Sequence, residues 1–247
     1  MIGARRLMAA KAAAGGGGFD PETDIAWEHL WWCESVDFIA EGYSDTDEIT
    51  SFPDSVGTGT LTPRTTGPIF VASDANFNGQ PSAQFVDLVD GINGTLDASV
   101  SAPFSVVFIA RSDNTDSNGR AVLGARDQAY IRSSSSGPGQ WRMYTPTGLI
   151  NTDTKLNGTS TAAVFCEAVF NGASSKLRED GATLASGNPG AATLSTEFGI
   201  NTYGDVDNGG LPTDFVLVGV YAGDITADGN YSAFKSWAAD HYGITIA

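Results

Sequence analysis

Few side chains in this sequence join reactive chemistry to a telling position. Retaining glycoside hydrolysis needs two carboxylates about 5 Å apart, and a single strand supplies such a pair at alternating positions. The pattern Glu-Xaa-Asp-Xaa-Glu does not occur; Asp45-Thr46-Asp47-Glu48 comes nearest, in a polar, turn-like stretch. Glu167 is the one carboxylate inside a strongly apolar run, Ala-Val-Phe-Cys-Glu-Ala-Val-Phe. Burial there would raise its pKa and make it a candidate acid. Strand alternation instead favours the solvent face of a half-buried strand. With no paired acid, the sequence assigns no catalytic residue.

Metal and nucleophile chemistry find little more. Asn114, Asp116 and Asn118 alternate like oxygen ligands of a cation loop, with Asp113 before them and Gly119 after. The loop lacks a first-position Asp in register, and Ala125 stands where a closing Glu would. Calcium is therefore the one cofactor left open, and ordinary hairpin turns account equally for this loop and for Asp205-Val206-Asp207-Asn208-Gly209. The two histidines, His29 and His241, are far apart. Cys33 and Cys166 have no CxxC partner and sit in apolar, strand-like surroundings, as buried free thiols do; a bridge between them stays open. Neither a Gly-Xaa-Ser-Xaa-Gly elbow nor a Gly-Xaa-Gly-Xaa-Xaa-Gly turn after a strand is present.

Sugar recognition is better supplied. Trp141 and Tyr144 follow the loop Ser133–Gly139, and Tyr203 lies between Asn201 and Asp205. Aromatic faces beside amide and hydroxyl groups suit C–H stacking with a sugar ring. Alternation also places Trp141 with Met143 on one face of their strand, which is a core reading of the same residue. Trp27, Trp31 and Trp237 read as core.

The elements that must position these residues are mostly strands. Runs at 25–33, 48–52, 68–71, 82–88 and 104–110 are rich in β-formers, and Phe104–Ala110 is apolar enough to be buried on both sides. Further strands are expected at 120–123, 128–132, 140–144, 162–170, 175–179, 197–200 and 215–221. Turn chemistry separates them, with Asp180-Gly181 the clearest tight hairpin. Only the end reads as helix: Asp228 could cap it, Tyr231, Phe234, Trp237, Ala238 and Tyr242 keep helical spacing, and Gly243 stops it. About twelve strands and one terminal helix describe an all-β sandwich with a jelly-roll pattern.

The first eighteen residues differ from the rest. Arg5, Arg6 and Lys11 occur with no acidic residue before Asp20, and Gly15, Gly16, Gly17 and Gly18 follow. The whole chain holds 13 basic against 29 acidic residues, a net charge of −16. Clustered phosphate contacts and anionic membranes are thus poor partners, and no run is long enough to span a membrane. Lys11 interrupts the apolar stretch Leu7–Ala10, unlike an export signal. Residues 1–18 read as an extended arm that another chain holds, and residues 19–247 as the sandwich domain.

This order of elements resembles the concanavalin A-like, laminin-G-like jelly-roll domains of bacterial surface proteins and bacteriophage virion proteins, from about Ala26 to Ile244. The resemblance rests on the Trp-rich first strand, Ser51-Phe52-Pro53-Asp54-Ser55-Val56-Gly57, and Asn78-Gly79-Gln80-Pro81 leading to Phe85. It continues through Pro103–Arg111, Phe215–Tyr221 with Asp224-Ile225-Thr226, and the helix ending at Tyr242-Gly243. Phe52, where a Trp is common, and Val86-Asp87, where Asp-Gly often follows the Phe, depart from the pattern. The resemblance implies a non-enzymatic structural or adhesion part of a phage particle, located in the virion. On that reading the arm joins other virion subunits, homo-oligomers form, and the domain meets host-surface glycans. A glycoside hydrolase or free lectin of the same fold is the alternative.

Overall fold

Runs of aromatic and β-branched residues, broken by Gly, Pro, Asn and Asp, account for the strands that build this chain. A computed structural model describes residues 18–86, 90–112, 122–124, 130–133, 141–151, 162–202 and 213–247. A one-turn helix α1 (Pro21–Asp24) precedes β1 (Trp27–Trp32), and α2 (Val36–Glu41) follows it. Then come β2 (Phe52–Pro53), β3 (Thr60–Pro63), β4 (Ile69–Asp74) and β5 (Gln80–Phe85). The middle of the chain forms β6 (Ile92–Thr95), β7 (Val100–Ser101), β8 (Phe104–Ser112), β9 (Val122–Gly124), β10 (Tyr130–Ser133), β11 (Trp141–Thr145) and β12 (Gly148–Asn151). The last strands are β13 (Val164–Phe170), β14 (Ser175–Glu179), β15 (Ala182–Gly187), β16 (Thr193–Leu194), β17 (Glu197–Ile200) and β18 (Thr213–Tyr221). Helix α3 (Tyr231–Tyr242) comes after them.

The strands form an antiparallel sandwich. The first sheet has the order β15-β14-β13-β8-β18-β5-β4, with β1 also paired to β18. The second runs β12-β11-β10-β9-β17-β6-β3-β2, and β16 pairs with β7 apart from both. Between the sheets lies the main core, where Phe108, Cys166 and Phe215 of the first sheet meet Leu123, Ile131, Met143 and Phe198 of the second. Trp31 stacks on Phe198 at 4.8 Å between ring centroids. A second apolar layer covers the outer face of the first sheet. There Phe234, Ala238 and Tyr242 of α3 pack on Val107, Ile109, Phe165 and Leu217. β8 is therefore buried on both faces, as its unbroken apolar run requires.

Several expectations need correction. Among the described residues there are eighteen strands where about twelve were expected; the additions, such as β3, β6, β12 and β15, are short or rich in Gly, Ser and Thr. The C-terminal helix is not the only one. Ser35 Oγ accepts the Phe38 N–H at 3.1 Å and starts α2, and Gly42 ends it in the left-handed region, φ 78°. Asp228 does not cap α3: Asn230 precedes the helix without a side-chain cap. Asp228 instead accepts the Asn230 N–H at 2.7 Å and the Tyr221 hydroxyl at 3.1 Å. The Asp180-Gly181 hairpin is found, with φ 48° and 83°, as a two-residue turn matched to strand twist demands. Cys33 and Cys166 are both free and buried. Among the described residues, no helix is long and apolar enough to cross a membrane.

Candidate functional site

Glu167 overturns the reading of a solvent-facing strand residue. It is fully buried, on the side of β13 that α3 covers, because β13 lies inside the sheet and both its faces are packed. Tyr231 of α3 donates its hydroxyl to Glu167 Oε1, and Arg178 Nε approaches Oε2 at 3.9 Å from the opposite register position on β14. Desolvation raises the Glu167 pKa, while the Tyr231 hydrogen bond and Arg178 oppose the rise. Lys235 lies 5.5 Å from the centre of the Tyr231 ring and donates to the Ala247 carbonyl at 2.6 Å. In this arrangement Glu167 pins the helix to the sheet; it has no face toward solvent from which to act on a sugar.

A second buried acid was not expected. Glu179 stands opposite Cys166, and its Oε2 finds no hydrogen-bond partner among the described residues. Burial first, and Asp180 second, push its pKa up to about 8. Glu167 and Glu179 occupy β-register positions of opposite parity, so they do not form a carboxylate pair on one face. His29 is also buried, and it pairs with Asp54 rather than with His241. The Asp54 carboxylate accepts His29 Nδ1 at 2.5 Å and the backbone N–H groups of Leu30, Val56 and Gly57 at 2.9–3.1 Å. This carboxylate ties the turn after β2 to β1. His241 belongs to a separate surface cluster: its Nε2 lies 2.9 Å from Glu34, which also accepts the Tyr242 hydroxyl at 3.1 Å.

The best-placed candidates for binding lie on the outer face of the second sheet. In β11, Met143 and Thr145 point inward and are buried, so the intervening Arg142 and Tyr144 face outward and are half-buried. Arg142 Nη1 donates to the Tyr144 hydroxyl at 3.4 Å. Cross-strand register builds two rows around them. One row runs Val122, Arg132, Arg142, Asn151, and the next Gly124, Tyr130, Tyr144, Leu149. Leu149 is 45% exposed. Sequence reading reached Tyr144 but passed over Arg142, although the alternation of Trp-Arg-Met-Tyr already placed the two together.

The remaining candidates are not brought into this picture. The side chain of Trp141 lies outside the described residues, although its backbone opens β11. Tyr203, the cation candidates Asn114, Asp116 and Asn118, and the arm residues Arg5, Arg6, Lys11, Gly15, Gly16 and Gly17 also lie outside them. Gly18 is exposed. Phe19 beside it packs against Phe234 and Trp237 of α3, at 5.7 and 5.8 Å between ring centres. Among the described residues, no group of three or more His, Cys, Asp or Glu side chains is placed to hold a metal ion.

No protein-family model and no curated protein matches this chain. Solved structures share its fold at low identity. Trypanosoma rangeli sialidase is 11% identical with a TM-score of 0.52, over 85% of this chain and 32% of that chain. Domain 4 of AbnA, a GH43 extracellular arabinanase from Geobacillus stearothermophilus in complex with arabinotriose, is 14% identical with a TM-score of 0.54. That match covers 87% of this chain and 98% of the domain. The ligand binding domain of botulinum neurotoxin serotype D, in complex with N-acetylneuraminic acid, is 10% identical with a TM-score of 0.54, over 79% and 49%. The chain thus spans about a third of the sialidase's length. These likenesses establish a β-sandwich fold that also occurs in sugar-binding domains.

Proposed function

We propose that this protein is a non-enzymatic adhesion component that displays a glycan-binding β-sandwich from a phage particle, anchored through its N-terminal arm. The observation that carries the reading is the placement of two features on opposite sides of the sandwich. Phe19, where the arm meets the domain, packs on α3 over the first sheet. Arg142 and Tyr144 face outward from the second sheet. An arm held by other virion subunits would leave that second face directed away from the anchor. Its basic residues and glycines suit docking into acidic grooves at close backbone approach. The entropy of ordering it, about 1–2 kcal/mol per residue, is then offset by contacts with the partner. Two structural neighbours carry sugars in their complexes, which supports a glycan as the ligand. The particle context rests on the resemblance in sequence order and on the arm.

A hydrolase of the same fold is the competing reading, and the raised pKa of Glu179 is what favours it. The full chain is expected to release no reducing ends from capsular polysaccharide or β-glucan. Release that disappears in Glu167→Gln or Glu179→Gln would replace the binding role with a catalytic one.

A further inference from the structure

A sheet edge is a row of unpaired backbone N–H and C=O groups, and folds blunt it with charge, proline, short length or cover. Most edges of this sandwich are blunted in these ways. Thr46 N–H donates to the Phe70 carbonyl and Phe70 N–H to the Asp47 carbonyl, both at 2.8 Å, which covers β4. On β1, Leu30 N–H donates to the Asp54 carboxylate and the Leu30 carbonyl accepts Ser55 N–H. β2 is two residues long and ends in Pro53, and β12 has only four residues. β15 is different. It ends the first sheet with six residues, Ala-Thr-Leu-Ala-Ser-Gly, none of them charged and none proline. Among the described residues, no backbone group pairs with its outer side.

The order of its side chains defines what fits there. Register with β14 sets Ala185 opposite Leu177 in the core, and sets Thr183 and Ser186 opposite Arg178 and Lys176 on the outer face. A bulge between Leu177 and Arg178 adds Leu184, which also packs toward the core. From 183 to 186 the side chains therefore run outer, inner, inner, outer, the same in both directions. An antiparallel second copy centred between 184 and 185 puts Thr183 opposite Ser186 and Leu184 opposite Ala185. Hydroxyl then meets hydroxyl on the outer face, apolar meets apolar over the core, and no charge is buried.

We infer that β15 is a self-pairing edge through which two copies of this chain join their first sheets about a two-fold axis. Leu184 and Ala185, half-buried in one copy, gain cover from the other. At a net charge of −16 two chains repel over most of their surface, and an uncharged edge is where they approach at least cost. Because core-facing positions meet core-facing positions, the axis stands perpendicular to the sheet. Both α3 layers, with their Phe19 contacts, lie on one side of the pair and both second sheets on the other. The pairing does not depend on a glycan; where the second sheet binds one, pairing doubles the sites that face one way.

Sedimentation equilibrium of the full chain in about 0.15 M salt, from about 1 to about 500 μM, tests this, since an edge this short makes a weak interface. The mass is expected to rise from monomer toward dimer within that range. Two double variants then read the register. Thr183→Lys with Ser186→Lys sets lysine against lysine twice across the axis and weakens the dimer about tenfold or more. Thr183→Lys with Ser186→Glu sets lysine against glutamate twice at the same positions, and the dimer is kept or tightened. Both side chains are exposed, so dilute samples of either variant melt within about 1 °C of the parent. A parent chain that stays monomeric throughout overturns the inference. So does a dimer that the Lys–Lys variant leaves unchanged, or one that the Lys–Glu variant loses.

Discussion

At the residue scale, buried carboxylates dominate the chemistry of this molecule, and they divide into satisfied and unsatisfied ones. Asp54 is satisfied: its two oxygens meet four donors while 4% exposed. Asp54→Ala leaves three backbone N–H groups and His29 unmatched, and is expected to cost about 2–4 kcal/mol in denaturant unfolding. Glu179 is the opposite case, with a bare buried oxygen and a pKa of about 8 against an ordinary 4.5. A carboxyl whose folded pKa is raised stabilises the fold fully below its unfolded pKa, and that contribution is lost as pH rises through the folded value. Burial raises Glu167, Asp180 and Asp214 in the same direction. Thermal melts should therefore show Tm falling from about pH 5 to pH 9. Glu179→Gln should flatten that slope and melt higher than the parent at pH 9; an unchanged slope would remove Glu179 from the account. Little of this was legible in the sequence. Glu167 looked like a solvent-facing residue because alternation cannot reveal that a helix from 64 residues further on covers its face.

At the element scale, the sequence was most readable where one local rule decides the outcome. β14, β17 and the hairpin Asp180-Gly181 fall where propensity and turn chemistry place them. α2 was missed because six residues are too few for a helical period to show, although Ser35 and Gly42 carry its start and stop signals. β15 was implied as the second arm of the Asp180-Gly181 hairpin but not delimited, because Ala, Thr, Ser and Gly give weak strand signals; pairing with β14 sets its bounds. α3 was expected, and its role follows from Phe234, which is fully buried and packs against Trp27 and Phe165 at 5.5 and 5.4 Å. Phe234→Ala is expected to lose about 3–5 kcal/mol. Amide exchange should then show α3 opening while β11 and β17 keep their protection; uniform loss of protection would mean that the helix is not a separate layer.

At the scale of the whole molecule, the proposed function puts attachment at the arm root, where Phe19 packs on α3, and recognition on the outward face of the second sheet. Deleting residues 2–18 should leave Tm of the domain within about 1 °C, since every described core residue lies at or beyond Phe19. The same deletion should prevent incorporation into assembled particles; a truncated chain that incorporates normally would show that the arm is not the anchor. The fold class was legible from strand order, whereas the outward face of the second sheet was only half legible. Tyr144 showed itself as an aromatic after a polar loop, but which face of β11 turns outward is known only once Met143 and Thr145 are seen buried in the core. The central claim is that the outer face of the second sheet binds glycans, and Tyr144→Ala on the glycan array tests it most directly. The account predicts binding by the parent chain that drops about tenfold or more in the variant, with the melting curve unchanged. Undiminished binding by Tyr144→Ala, or none by the parent chain, would contradict it.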